Sequence, residues 1–132
     1  MSEQTQTLQI LYEETARRFA ERVRQRFPHS VHSVVLYGSV ARGTAGQESD
    51  VDVLVLTANG RPSRGELVEI SESLDFENGY RTLLFATAFT PLRLDELRQG
   101  GFPIAGAILK EGRVLYDDGA FERIRQDALK TG

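Results

Sequence analysis

The chain has 132 residues, of which 40% are hydrophobic and 27% are charged, and its formal net charge is -3. This length allows one domain with a single core but excludes a catalytic domain joined to a large substrate domain, so any missing half of an active site must come from a partner or a second copy. The acidic balance argues against strong binding of free DNA or RNA, and the absence of cysteine excludes disulfides and thiolate metal sites.

The first predicted elements are a helix and a strand. Apolar residues recur at every third or fourth position, which predicts an amphipathic helix over about residues 5–27 that ends before Pro28. The run Val31–Tyr37 is short, apolar and rich in β-branched residues, as is typical of a buried strand. Gly38 ends this strand, and Ser39 is predicted to cap the short helix that follows.

A second strand, a second long helix and a third strand are predicted next. Residues 50–57 form an apolar run that indicates a strand buried on both faces. Over residues 61–78, leucine and isoleucine recur three and four positions apart, which predicts a helix that ends at Gly79. Residues 80–90 are rich in aromatic and small apolar side chains, so we expect a third strand in the centre of the sheet, with Phe85 and Phe89 in the core.

The last third of the chain alternates helix and strand again. Thr90 and Pro91 are typical of a capped helix start, and a second short helix is expected over residues 102–110. An edge strand over 113–116 and a helix over about 119–130 complete the order. This order of helices and strands predicts an α/β (α+β) fold in which a mixed sheet of about four strands is packed against helices.

The whole chain, 1–132, is expected to form one domain whose core spans about residues 31–118. Its first residues lack the basic and apolar pattern of a secretory signal, and no apolar run is long enough to cross a membrane. We therefore expect a cytoplasmic protein without membrane contact.

Two acidic residues stand at the head of the second predicted strand. Because side chains alternate along a strand, Asp50 and Asp52 are expected to face the same side, and Val51 the other. An unpaired charge on a buried strand is costly, so a functional role explains this pair better than a structural one. Paired carboxylates bind Mg²⁺ together with phosphate oxygens and water in two-metal phosphoryl-transfer sites.

The turn before the helix supplies the features of a phosphate site. At a helix start the first backbone N–H groups lack intrahelical partners and can bind an anion. Gly38 allows close approach because it has no Cβ, and the hydroxyl of Ser39 is a further donor. Arg42, one turn later, could bind a phosphate through a forked pair of hydrogen bonds.

The spacing of these residues resembles a known signature. Gly38-Ser39 is followed after ten residues by Asp50-Val51-Asp52, with Ala41-Arg42-Gly43 and Ser49 between them. This pattern resembles that of the minimal nucleotidyltransferases of the DNA polymerase beta superfamily, and residues 102–118 resemble the usual ending of that family. The resemblance covers roughly residues 31–118.

The resemblance implies the nucleotidyltransferase fold and a specific reaction. The expected enzyme uses two Mg²⁺ ions to transfer a nucleoside monophosphate from a nucleoside triphosphate, with ATP as the first candidate, to a hydroxyl acceptor. Carried over by position, the metal-binding and catalytic residues are Asp50 and Asp52. The implied nucleotide-binding residues are Gly38, Ser39, Arg42 and Ser49.

One feature of the family is missing. Its members usually carry a third carboxylate on the next strand, but this sequence has no acidic residue between Glu77 and Asp95. Thr82 and Thr87 are the candidates for that place, although a hydroxyl is a weak metal ligand and a poor base.

Two hypotheses follow. Stand-alone domains of this kind resemble the antitoxin half of two-gene systems whose partner is a helical HEPN ribonuclease toxin, and active versions adenylylate that toxin. The first hypothesis is therefore a transferase whose acceptor is a hydroxyl, such as a toxin tyrosine. The alternative is a weak or inactive nucleotide-binding antitoxin that neutralises the ribonuclease by binding. The sequence leaves open whether the chain forms oligomers.

Overall fold

A computed structural model describes residues 2–131, in which one four-stranded sheet is covered by six helices. The elements are α1 (Glu3–Arg26), β1 (Val31–Tyr37), α2 (Gly38–Arg42), β2 (Val51–Thr57), α3 (Arg64–Glu77), β3 (Leu84–Phe89), α4 (Pro91–Gln99), α5 (Pro103–Glu111), β4 (Arg113–Asp117) and α6 (Ala120–Thr131). The prediction of an α/β fold with a mixed sheet of about four strands is confirmed. None of the helices within 2–131 is long and apolar enough to cross a membrane.

The strand order is β3-β2-β1-β4. β1 is antiparallel to both β2 and β4, whereas β2 and β3 are parallel. The two central strands are buried on both faces, as their apolar runs predicted. The prediction that residues 80–90 form a central strand is wrong, because β3 pairs only with β2 and lies at the edge of the sheet. Its apolar character reflects the helices above and below it rather than a strand on each side.

The sheet separates two apolar clusters. On one face Val34, Val53 and Leu67 belong to a cluster covered by α1 and α3. On the other face Val35, Leu54 and Ile108 belong to a cluster covered by α4, α5 and α6. Neighbouring residues of β1 and β2 thus serve opposite clusters, which follows from the alternation of side chains along a strand.

Helix α1 fastens the segment between β1 and β2. The hydroxyl of Tyr12 donates to the carbonyl oxygen of Gly46 at 2.9 Å, and the side-chain amide of Gln9 donates to that of Val40 at 2.7 Å. A long helix on one face of the sheet therefore sets the position of α2 and of the loop that leads to β2.

A buried polar network connects α3 to the start of β3. Asp75 accepts a hydrogen bond from the Thr82 hydroxyl at 2.6 Å and another from the Leu84 N–H at 3.0 Å. The side-chain amide of Asn78 donates to the hydroxyl of Thr15 on α1 at 3.0 Å. Each buried polar side chain in this group has a hydrogen-bond partner within the group, so these residues have a structural role.

The packing of Gly112, between α5 and β4, generates a stability prediction. A Cβ at this position would overlap the carbonyl oxygen of Ile108 and lie 2.7 Å from Cγ1 of Val35. We expect Gly112→Ala to destabilise the fold by about 1–3 kcal/mol, measured by urea denaturation. Gly106→Ala is the matched control, since a Cβ there meets nothing within 4 Å. The control should be neutral or stabilising by up to about 1 kcal/mol; equal losses in both variants would contradict the packing explanation.

Candidate active site

The candidate site lies where β1 ends and β2 begins. Helix α2 starts at Gly38, whose φ of +77° turns the chain directly from strand into helix. Tyr37 is the N-cap and makes no side-chain capping bond. The prediction that Ser39 caps this helix is therefore wrong. Ser39 lies within the first turn of α2, where the N–H groups of Gly38, Ser39 and Val40 lack intrahelical partners.

The carboxylate of Asp52 lies against Gly38. Asp52 is half-buried and stands opposite Tyr37 across the β1–β2 pair. A Cβ added to Gly38 would overlap Oδ2 of Asp52, so the missing side chain makes the room that this carboxylate occupies. Gly38 thus has two reasons to be glycine, its positive φ and its contact with Asp52.

Asp50 lies one residue before β2 and is exposed, so the predicted strand start at residue 50 is one residue early. The pKa of Asp52 is raised above its ordinary value, first by burial and then by the negative charge of Asp50, whereas the positive charge of Arg42 opposes the rise. The carboxylates of Asp50 and Asp52 therefore interact through their charges. A divalent cation between them would remove that repulsion.

The residues present fit Mg²⁺ bound together with a phosphate substrate. No group of three or more acidic, histidine or cysteine residues within 2–131 is arranged to hold a metal by itself. Mg²⁺ in nucleotide sites needs only one or two carboxylates, because phosphate oxygens and water complete its octahedron. Asp50 and Asp52 supply that number, and the Asp52 carboxylate lies against the first residue of α2.

Arg42 and Ser49 take positions around the carboxylates. The guanidinium of Arg42 forms an ion pair of 2.9 Å with Glu111 at the end of α5, and its charge also acts on Asp52. The hydroxyl of Ser49 accepts a hydrogen bond from the N–H of Gly46 at 2.8 Å. Arg42 therefore lies at the rim of the site, while Ser49 holds the shape of the loop before Asp50.

The strand register identifies the residue next to Asp52 on β3. It is Phe85, which is paired with Asp52 in the parallel β2–β3 ladder. Thr87 is two residues farther along, beside Leu54, and its hydroxyl lies 3.2 Å from that of Tyr37. Thr82 is excluded from this place, because it precedes β3 and binds Asp75 in the buried network.

The two phenylalanines of β3 have different surroundings. Phe89 packs against the cluster beneath α4, as predicted for a core residue. Phe85 is 47% exposed, so its assignment to the core is wrong. The Phe85 side chain is exposed because β3 is an edge strand, with β2 on one side and, among the described residues, no strand on the other.

Sequence reasoning did not select Tyr37, Phe85 or Glu111 as parts of the site. Tyr37 and Phe85 reach the Asp52 face only through strand pairing, which the linear pattern does not specify. Their alternation with Asp52 would have identified them once the strand order was known. No sequence pattern indicates that Glu111 belongs to the site, because its contact with Arg42 depends on how α5 packs against α2.

The chain is similar in sequence to known proteins. Residues 16–98, more than half of the chain, match the profile of the nucleotidyltransferase domain. The chain is similar to two proteins of Methanocaldococcus jannaschii, each named "Putative protein adenylyltransferase". The first is 29% identical over 112 residues, covering 85% of this chain and 76% of the relative. The second is 42% identical over 48 residues, covering 36% of this chain and 48% of the relative.

Solved structures share the fold at low sequence identity. A structure titled "putative nucleotidyltransferase from Sulfolobus solfataricus" has a TM-score of 0.57 and 18% identity, over 89% of this chain and 91% of that one. A toxin–antitoxin structure with AMP-PNP has a TM-score of 0.56 and 15% identity, over 86% and 84%. The toxin–antitoxin structure MntA–HepT has a TM-score of 0.52 and 11% identity, over 89% and 84%.

The contact between Gly38 and Asp52 can be separated from backbone strain. Gly38→Ala and Gly43→Ala each place a Cβ on a residue with positive φ, +77° and +75°, but only the first meets Asp52. Both should lose about 1–2 kcal/mol from the left-handed backbone. Gly38→Ala should lose about 1–3 kcal/mol more from the overlap, measured by urea denaturation. Equal losses in the two variants would show that the contact is not tight.

The raised pKa of Asp52 predicts a pH dependence of stability. Since the folded-state pKa lies above the unfolded value, folding favours the protonated form, and this contribution is lost as the pH rises through the folded pKa. Asparagine does not ionise, so the Asp52→Asn variant has no such contribution to lose. Without divalent cations, the variant should therefore gain stability relative to the original protein as the pH increases from about 4 to about 7. Denaturation midpoints across this range test the prediction, and a difference that does not vary with pH would contradict it.

Proposed function

Because the chain belongs to the nucleotidyltransferase domain family, we propose that it is a Mg²⁺-dependent enzyme that transfers AMP from ATP to a hydroxyl group of a protein. The observation that carries this proposal is the position of the Asp52 carboxylate against Gly38, at the first turn of α2. In this proposal the carboxylate binds the metal and the turn binds phosphate, and the contact brings the two groups together.

Each residue of the site has a role in this proposal. Asp50 and Asp52 hold Mg²⁺, which when bound neutralises charge on the triphosphate. The N–H groups at the start of α2 and the hydroxyl of Ser39 donate to the phosphate oxygens. Arg42 exchanges its bond with Glu111 for a phosphate oxygen, and Ser49 keeps the loop before Asp50 in place.

The reaction is a displacement at the α-phosphorus. The acceptor oxygen forms a bond to this phosphorus while the bond to the oxygen bridging toward the β-phosphate breaks, and the electron pair leaves with pyrophosphate. The proton of the acceptor hydroxyl passes to solvent, because the position beside Asp52 on β3 is Phe85 rather than a carboxylate. The chain's contribution is to bind and orient the triphosphate and to screen its charge.

A protein acceptor and an adenine nucleotide are supported by the relatives. Two sequence relatives are named "Putative protein adenylyltransferase", and one structural neighbour is titled as a toxin–antitoxin with AMP-PNP. We extend this to a toxin–antitoxin function, in which the acceptor is a tyrosine of a helical HEPN-type partner and modification inactivates that partner.

A second function is favoured by one observation. The place beside Asp52 on β3 carries a phenylalanine, and a third carboxylate would normally assist proton removal. The second candidate is therefore an antitoxin that binds Mg²⁺–ATP and its partner but transfers AMP slowly or not at all.

Labelling separates the two functions. The purified protein is incubated with Mg²⁺, α-labelled ATP and a co-expressed HEPN-type protein, taken from beside its gene where one is encoded there. We expect label on the partner, and a loss of at least about 100-fold with Asp52→Asn. Glu72→Gln, at an exposed position on α3, is the control and should retain full labelling.

Calorimetry completes the test. Mg²⁺-dependent ATP binding that is lost in Asp52→Asn, without any labelling, would favour the antitoxin that only binds. Absence of Mg²⁺-dependent ATP binding would rule out both functions.

A further inference from the structure

We propose that the free edge of β3 binds the acceptor protein as an added strand, so that a tyrosine of that strand reaches the site at Asp50 and Asp52. The proposal rests on the proposed transferase function and specifies the form of its substrate. The substrate is an extended acidic segment that pairs with β3 through its backbone.

The direction of the backbone groups shows that this edge is open. The carbonyl oxygen of Leu83 accepts a hydrogen bond from Val51 at 2.9 Å, so its backbone points toward β2. Since backbone direction alternates along a strand, Leu84, Ala86 and Ala88 point outward. Asp75 occupies the N–H of Leu84. Ala86 and Ala88 remain, within the described chain, as two successive positions where an added strand can pair.

The composition of β3 favours pairing. Edge strands are usually protected by charged residues, proline or a bulge. The strand from Leu84 to Phe89 contains neither charge nor proline, and its six pairs with β2 show no shift in register. A groove of about 200 Å³ runs along it, and its lining residues are Arg64, Phe85, Ala86, Thr87, Ala88 and Phe89. The edge is thus regular and uncharged, with Phe85 exposed and Ala88 half-buried, whereas Ala86 is buried.

The register connects this edge to the proposed site. Phe85 lies beside Asp52 on the same face of the sheet and is half exposed. Neighbouring strands are about 4.8 Å apart, so an added strand would lie about 10 Å from β2. A tyrosine side chain can extend back across the ring of Phe85 toward Asp52, whereas serine and threonine hydroxyls remain close to their own backbone. The geometry therefore favours tyrosine as the acceptor.

Charge favours a foreign acidic segment over a second copy of this chain. Arg81 precedes β3, Arg93 follows it, and the guanidinium carbon of Arg64 lies 5.7 Å from the centre of the Phe85 ring. Within residues 2–131, none of these three arginines forms an ion pair. An acidic segment would neutralise them, while a second copy would bring the same three positive charges to the edge.

Two variants of Ala88 separate backbone pairing from side-chain size. Ala88→Pro removes an outward N–H without removing a bond to β2, at a position where an edge strand tolerates proline. Ala88→Val has a side chain of similar size and keeps the N–H. Ala88 is preferred over Ala86 because it is half-buried, whereas Ala86 is buried.

The probe is a set of synthetic peptides of about ten residues, enough to cover the edge strand. Each contains one central tyrosine, serine or threonine, flanked by acidic, neutral or basic residues, and is incubated with the protein, Mg²⁺ and α-labelled ATP. We expect labelling of tyrosine peptides with acidic flanks. Labelling should fall at least about tenfold in Ala88→Pro, corresponding to one or two lost hydrogen bonds, and change less than about twofold in Ala88→Val.

Other outcomes overturn the proposal. If Mg²⁺-dependent ATP binding, measured by calorimetry, is intact but no peptide is labelled, or Ala88→Pro labels peptides equally, the strand proposal fails while the proposed function stands. If ATP does not bind, the proposed function fails and this inference with it. If the protein sediments as a dimer that Ala88→Pro dissociates, a second copy occupies the edge.

If circular dichroism shows that Ala88→Pro does not fold, a further variant tests the proposal. Ala88→Glu places a negative charge at the same edge. Beside the three arginines, this charge should weaken the preference for acidic flanks, and an unchanged preference would count against binding at β3.

Discussion

The contact between the Asp52 carboxylate and Gly38 is the constraint on which the site depends. It brings a charged residue of one central strand against the turn that ends the other. This approach is possible only because Gly38 has no side chain and adopts a positive φ. The half-burial of Asp52 follows from it, and with that burial comes a carboxylate whose pKa is raised. The negative charges of Asp50 and Asp52 thus repel each other, and a bound cation would reduce this repulsion.

The rest of the fold keeps this contact in place. Tyr12 and Gln9 of α1 hold the loop and the short helix that surround Gly38. Glu111 of α5 holds Arg42 at the opposite rim. Helices from both faces of the sheet therefore converge on one end of β1 and β2, where unpaired backbone groups and two carboxylates meet. This arrangement suits a substrate that carries both phosphate groups and a bound cation.

The edge position of β3 explains two features of the structure. It leaves the residue beside Asp52 exposed to solvent, where the chain has Phe85 instead of a third carboxylate. It also leaves the outward backbone groups of Ala86 and Ala88 unpaired by β2. Under the proposed transferase function, the open strand beside the site gives a segment of an acceptor protein a place to pair.

Local patterns were sufficient for the types of the elements and for the nearness of Gly38 and Asp52. Strand alternation, capping by Thr90 and the spacing from Gly38 to Asp52 involve short-range geometry that the sequence itself carries. The exposure of Phe85, the edge position of β3 and the contact of Arg42 with Glu111 could not be predicted in this way. They depend on which strands pair and how helices pack, and those choices are made between residues distant along the chain. The sequence alone therefore determined the elements and the candidate residues of the site, whereas the tertiary structure decided which other residues lie beside them.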